Sequence, residues 1–76
     1  MTWRDIERLI RRDRFQVIAE ISMSRNKYWI KKEQVHYEIS SLQFDKLLEG
    51  GFIDPDYRVS HDAGQWSGES LIYEGR

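Results

Sequence analysis

Within TWRDIERLIRRD, residues 2–13, the apolar residues Trp3, Ile6, Leu9 and Ile10 recur at helical spacing. At about 100° per residue they fall within an arc of about 120°, which predicts an amphipathic helix over 2–13. Thr2 and Asp5 have the three-residue offset of a capping box at its start. Arg4, Arg8, Arg11 and Arg12 cluster on the side opposite the apolar stripe.

The period then changes from helical to alternating. In FQVIAEISM, residues 15–23, Phe15, Val17, Ala19, Ile21 and Met23 share one parity, and Gln16, Ile18, Glu20 and Ser22 the other. That alternation predicts a half-buried strand with its odd positions in the core. A polar turn at 24–27 leads to a second strand beginning with YWIKK, and a reversal around Lys32 and Glu33 to a third through VHYEI. Folding the chain on these turns sets Ile21 against Ile30 and Met23 against Tyr28 inside, and Glu20 against Lys31 outside. The next hairpin sets Ile30 against Val35 and Tyr28 against Tyr37 inside, with Trp29 against His36 outside. Tyr28, Ile30, Val35, Tyr37 and Ile39 are thus core positions. Trp29, His36, Lys27, Lys31 and Glu38 share the outer face with Ile18 and Glu20. The second turn lacks the Gly or Asn that a tight hairpin favours.

SSLQFDKLLEGG, residues 40–51, returns to helical spacing, with Phe44, Leu47 and Leu48 on one face. Ser40 and Gln43 again have capping-box spacing, and Gly50-Gly51 supplies the stop. Phe52 and Ile53 should return to the core before Asp54-Pro55-Asp56 breaks regular structure. Residues 57–60 and 71–74 alternate weakly around a Gly- and Ser-containing loop that carries Trp66, which predicts a closing strand or hairpin. The fold class expected is therefore α+β: a small single domain over 1–76 in the order α-β-β-β-α-β(β). Its sheet is mainly antiparallel with two helices packed on one face, and residues 54–76 add an acidic loop and closing strand to the unit of 1–53.

Composition changes this picture in two places. At 76 residues the core is small, and with no cysteine in the chain neither disulfides nor thiolate metal sites can reinforce it. Ten Phe, Trp and Tyr residues supply large buried areas instead. The net charge of −1 conceals a division. Residues 1–32 carry nine Lys or Arg against four Asp or Glu, a net of +5, whereas residues 33–76 carry three against nine, a net of −6. Such asymmetry points to a charged partner or to self-association, a homodimer included. No apolar run approaches the roughly 18 residues of a membrane span, so no membrane partner and a cytoplasmic location are expected.

The order helix, three strands, helix is similar to that of double-stranded-RNA-binding domains and of the small HicA-type toxin ribonucleases. The stretch ISSLQFDKLLEGGFI resembles the end of helix-turn-helix or winged-helix domains. The toxins carry a catalytic histidine on the middle strand, where this chain has Tyr28-Trp29-Ile30. The basic loop and helix start of the RNA-binding domains are replaced here by Glu33 and by Ser40-Ser41-Leu42. No functional residue therefore transfers.

Candidate chemistry is correspondingly sparse. Ser60, His61 and Asp62 are consecutive and do not converge as a nucleophile, base and orienter must. His36 and Glu38 share a strand face near Lys27 and Lys31, the arrangement a small ribonuclease would need, and this is a third reading. Two separated histidines make no metal site, and no cofactor fingerprint occurs. The expected function is non-catalytic: a small regulator or inhibitor, in style like those of phages and mobile elements, that binds a protein partner through Trp29, Ile18, Lys31, His36 and Trp66. Its acidic C-terminal half would let it imitate nucleic acid toward a basic protein. The alternative is nucleic-acid binding through Arg4, Arg8, Arg11 and Arg12.

Overall fold

The computed structural model describes residues 1–12, 14–23, 25–60 and 69–76. Helix α1 (Trp3–Ile10) leads into β1 (Gln16–Ile21), β2 (Asn26–Lys32) and β3 (Val35–Ile39), then α2 (Ser41–Glu49), β4 (Arg58–Ser60) and β5 (Glu69–Glu74). The five strands form one sheet in the order β3-β2-β1-β5-β4, and every pairing is antiparallel. The predicted α+β class and helix-strand order hold. The last strand does not close an edge: it pairs along the whole of β1 and makes β1 the centre of the sheet.

Both helices start where the sequence places a cap. The Thr2 hydroxyl accepts from the Asp5 N–H while Asp5 Oδ2 accepts from the Thr2 N–H. Ser40 and Gln43 repeat the reciprocal pair at α2. The Asp5 carboxyl is held below its ordinary pKa, first by the Thr2 backbone N–H and then by the Thr2 hydroxyl, because both stabilise its ionised form. The glycine stop of α2 is a Schellman turn. Gly51 takes φ +76° and donates to the Leu48 carbonyl, while the Phe52 N–H reaches back to that of Leu47. α1 is shorter than its periodicity predicts. It ends at Ile10, and Lys32 from the end of β2 donates to the Leu9 carbonyl at 2.7 Å, placing a cation on the helix's negative end.

The core lies between the helices and one sheet face: Ile6 from α1, Phe44 and Leu47 from α2, and Val17, Ala19, Ile30, Ile39 and Tyr73 from the sheet, with Phe15 and Ile53 closing one end. Phe44 stacks on Tyr28 with ring centroids 4.6 Å apart and meets Tyr73 edge-on at 5.3 Å. Burial pushes the Tyr73 phenol above its ordinary pKa, with Tyr57 and Tyr28 adding to the effect.

Parity along the strands is as predicted, but the register is not. Glu20 lies opposite Lys27, not Lys31, and Ile21 opposite Asn26, not Ile30, a slip of four residues. Trp29 lies opposite Glu38, not His36, and Tyr28 opposite Ile39, not Tyr37, a slip of two. Both slips are even, so every side chain keeps its face and only its row changes. The turns decide the row. The Ser22 hydroxyl accepts from the Arg25 N–H and donates to the Arg25 carbonyl, which closes the first hairpin at 22–25 and stops β1 at Ile21. Met23, assigned to the core from parity, therefore lies beyond the strand and is fully exposed. The second hairpin turns on Glu33 and Gln34 with φ 49° and 70°, the two positive values of a type I′ turn built without its usual Asn-Gly. Val35, also expected inside, is 48% exposed at the start of the edge strand β3, beside the turn. Phe52 likewise leaves the core: it packs against the Trp3 ring at 5.6 Å, and Ile53 alone is fully buried.

Candidate functional site

Because the helices occupy one face of the sheet, the other is free of them among the described residues. Its rows follow from the register. The middle row runs Glu38, Trp29, Ile18, Ile72, Arg58 across all five strands. Side chains directly opposite on neighbouring strands have Cβ atoms within about 5.5 Å, so Trp29, Ile18 and Ile72 form a continuous apolar strip with an acid at one end and a base at the other. All three are half-buried. A second row runs His36, Lys31, Gln16, Glu74, and a third Lys27, Glu20, Ser70, Ser60. Each row carries one lysine and one glutamate, and neither builds a field of one sign.

Trp29 is the centre of this face. The His36 ring meets it edge-on at 6.5 Å from the neighbouring row, and the Lys27 ammonium lies 6.0 Å from its ring centroid. The indole N–H is buried and has no acceptor among the described residues, an uncompensated donor of the kind that costs about 1–3 kcal/mol in a folded protein. At the far end Glu74 Oε1 accepts from Gln16 at 2.7 Å and from Arg58 at 3.1 Å, so that carboxylate is engaged within the sheet.

The structure thus brings together Trp29, Ile18, Lys31 and His36, four of the residues predicted from sequence to meet a partner. Trp66 lies outside the described residues, as do His61 and Asp62. Ile72 was missed. Its parity opposite Leu71 and Tyr73 was readable, but its place beside Ile18 depends on β5 pairing with β1. The arginine stripe is divided: Arg4 and Arg8 lie on the exposed face of α1, whereas Arg11 and Arg12 follow its end and sit near Arg14 and Arg76. His36 and Glu38 stand on one face of edge strand β3, opposite Lys31 and Trp29 respectively. Among the described residues no group of three or more His, Asp or Glu is placed to hold a metal ion, and no helix is long and apolar enough to cross a membrane. Compared with family models, characterised proteins and solved structures, the chain matches none.

Proposed function

We propose that this protein is a non-catalytic binding module whose open sheet face docks a protein partner, in the manner of a small regulator or inhibitor. The observation that supports it is the in-register strip Trp29, Ile18, Ile72 on the face that the helices leave bare. A large aromatic flanked by aliphatic side chains and rimmed by polar ones is the composition of an interface centre. The strip ends in Glu38 at one edge and in the Arg58–Glu74 pair at the other, which fits a partner offering an apolar patch with a base beside it. Alternating charge around Trp29 argues against bases stacking here, since Glu20 and Glu38 oppose a phosphate backbone. Glu74 is held by Arg58 and Gln16 and so adds no free charge for an imitation of nucleic acid at this face.

The test places a photo-crosslinking amino acid at Ile72 or, as a control, at Arg8 on α1, and exposes the protein to nuclease-treated lysate of its source cells. A discrete protein adduct should form from position 72 and not from position 8. Trp29→Ala should weaken the complex by about 2 kcal/mol or more, roughly 30-fold. Equal adducts from both positions, or adducts abolished by nuclease, would refute the assignment of this face.

A further inference from the structure

At the end of the sheet where α1 stops, β1 begins and β5 finishes, the chain gathers cations from distant parts of the sequence. Arg11, Arg12, Arg14 and Arg76 surround an open cleft of about 280 Å³ floored by Ile10 and Phe15. A second cleft of about 190 Å³ shares Ile10, Arg11, Phe15 and Arg76 with it and adds Glu7 and Phe52, whose ring is engaged edge-on by Trp3. A third, of about 220 Å³, lies on the other side of Arg14 and Phe15 and reaches Lys31, with Glu33 at its border. Among the described residues none of the four arginines makes an ion pair or a side-chain hydrogen bond. Even with Asp13 counted, segment 11–14 carries three arginines against one aspartate.

Unpaired guanidiniums held around one hollow repel each other and are relieved by a shared anion. Their planar forks match the oxygens of a phosphate. Each cleft is smaller than the roughly 300–1,000 Å³ of a pocket that encloses a small ligand, and all are open. Three hollows that share Phe15, the first two joined at Arg11 and Arg76 and the third reached past Arg14, suit a chain of phosphates laid across them. A flexible single strand adapts to such a path over a small domain more closely than a rigid duplex does. Phe15 is only 5% exposed, so it gives the floor no ring on which a base could stack.

We propose that the cleft formed by Arg11, Arg12, Arg14 and Arg76 binds the phosphate backbone of a single-stranded nucleic acid without reading its bases. The site meets the Trp29 face only at Gln16 and Lys31, on the border of the third cleft, and does not depend on the function of that face. Labelled oligo(dT), and the matching duplex, are titrated with the whole protein by fluorescence anisotropy between about 50 and 200 mM salt. Single-strand binding should be stronger than duplex binding. Its log–log salt slope should include about −2 from Arg11, Arg12 and Arg14 at roughly −0.7 per contact, a loss of about 15-fold over that range. The variant Arg11→Gln/Arg12→Gln/Arg14→Gln should bind at least about tenfold more weakly at low salt, with the slope shrunk by about two units. Arg4→Gln/Arg8→Gln and Trp29→Ala should each stay within about twofold of wild type. Circular dichroism melts establish that each variant is folded, and single Arg→Gln variants, each losing about 0.7 in slope, decide the matter if the triple variant is not. Absent binding, tighter duplex binding, salt-independent binding, or an equal loss in the Arg4/Arg8 variant would overturn the proposal.

Discussion

Gly75 lies against the face of the Phe15 ring, so closely that an added Cβ would sit 2.4 Å from Cε1, while its N–H donates to the Phe15 carbonyl at 3.0 Å. The last turn of chain is thereby locked onto the start of β1. Gly75→Ala should force the ring off its packing and cost about 1–3 kcal/mol in chemical unfolding. Shortening the ring in a Gly75→Ala/Phe15→Leu variant should recover part of the loss beyond the sum of the two single effects. Simple additivity would show that the two residues do not press on each other.

The Glu33-Gln34 turn stores strain. Both residues sit at positive φ, a conformation that costs an ordinary residue about 1–2 kcal/mol. Glu33→Asn/Gln34→Gly should raise stability by about 1 kcal/mol, the gain being limited by the greater freedom of glycine in the unfolded chain. The measurement is the urea midpoint at unchanged slope. A midpoint equal to or below that of wild type would contradict a left-handed turn here.

Depth in the core differs sharply between two isoleucines on the same sheet face. Ile30 is fully buried and Ile21 only half-buried at the end of β1. Ile30→Ala should cost about 2–5 kcal/mol and Ile21→Ala about half as much. Ile30→Asp should abolish cooperative melting, since among the described residues the buried core holds no polar or charged residue.

Asp5 makes the start of α1 sensitive to acid. Its folded pKa lies below the ordinary aspartate value of 3.8, so its contribution is complete above that pH and is lost as the pH falls through the folded pKa. The difference in melting temperature between wild type and Asp5→Ala should be constant near neutrality and close below about pH 3.8. A difference that persists unchanged in strong acid would show that the carboxylate does not cap the helix.

The unpaired indole N–H of Trp29 gives a prediction opposite to the usual cost of trimming a large side chain. Trp29→Phe removes a buried donor without an acceptor and keeps a ring on the strip, so stability should be unchanged or higher by up to about 1 kcal/mol. A loss greater than about 1 kcal/mol would mean that the larger ring's packing outweighs the stranded donor.

Local sequence determined the elements and their faces. The capping pairs Thr2 with Asp5 and Ser40 with Gln43 are contacts between residues three apart, and Gly51 after Leu48 ends α2 by a bond pattern local to one turn. The inward parity of Val17, Ala19, Ile30, Ile39 and Tyr73 follows from a two-residue repeat that burial of one sheet face enforces. Rows were a different matter. Any even slip keeps that parity, so the choice between Lys27 and Lys31 opposite Glu20 fell to the Ser22 hydroxyl closing its turn at Arg25. Strand order was likewise beyond a local pattern. That β5 pairs with β1 over six residues, 48 or more positions away along the chain, results from packing Tyr73 under Phe44. This single long-range pairing places Ile72 beside Ile18 and carries Arg76 to Arg11, Arg12 and Arg14, so it assembled both candidate surfaces. Side-chain periodicity is fixed by bond geometry within each segment, whereas the neighbours of a segment are fixed by which buried faces fit together.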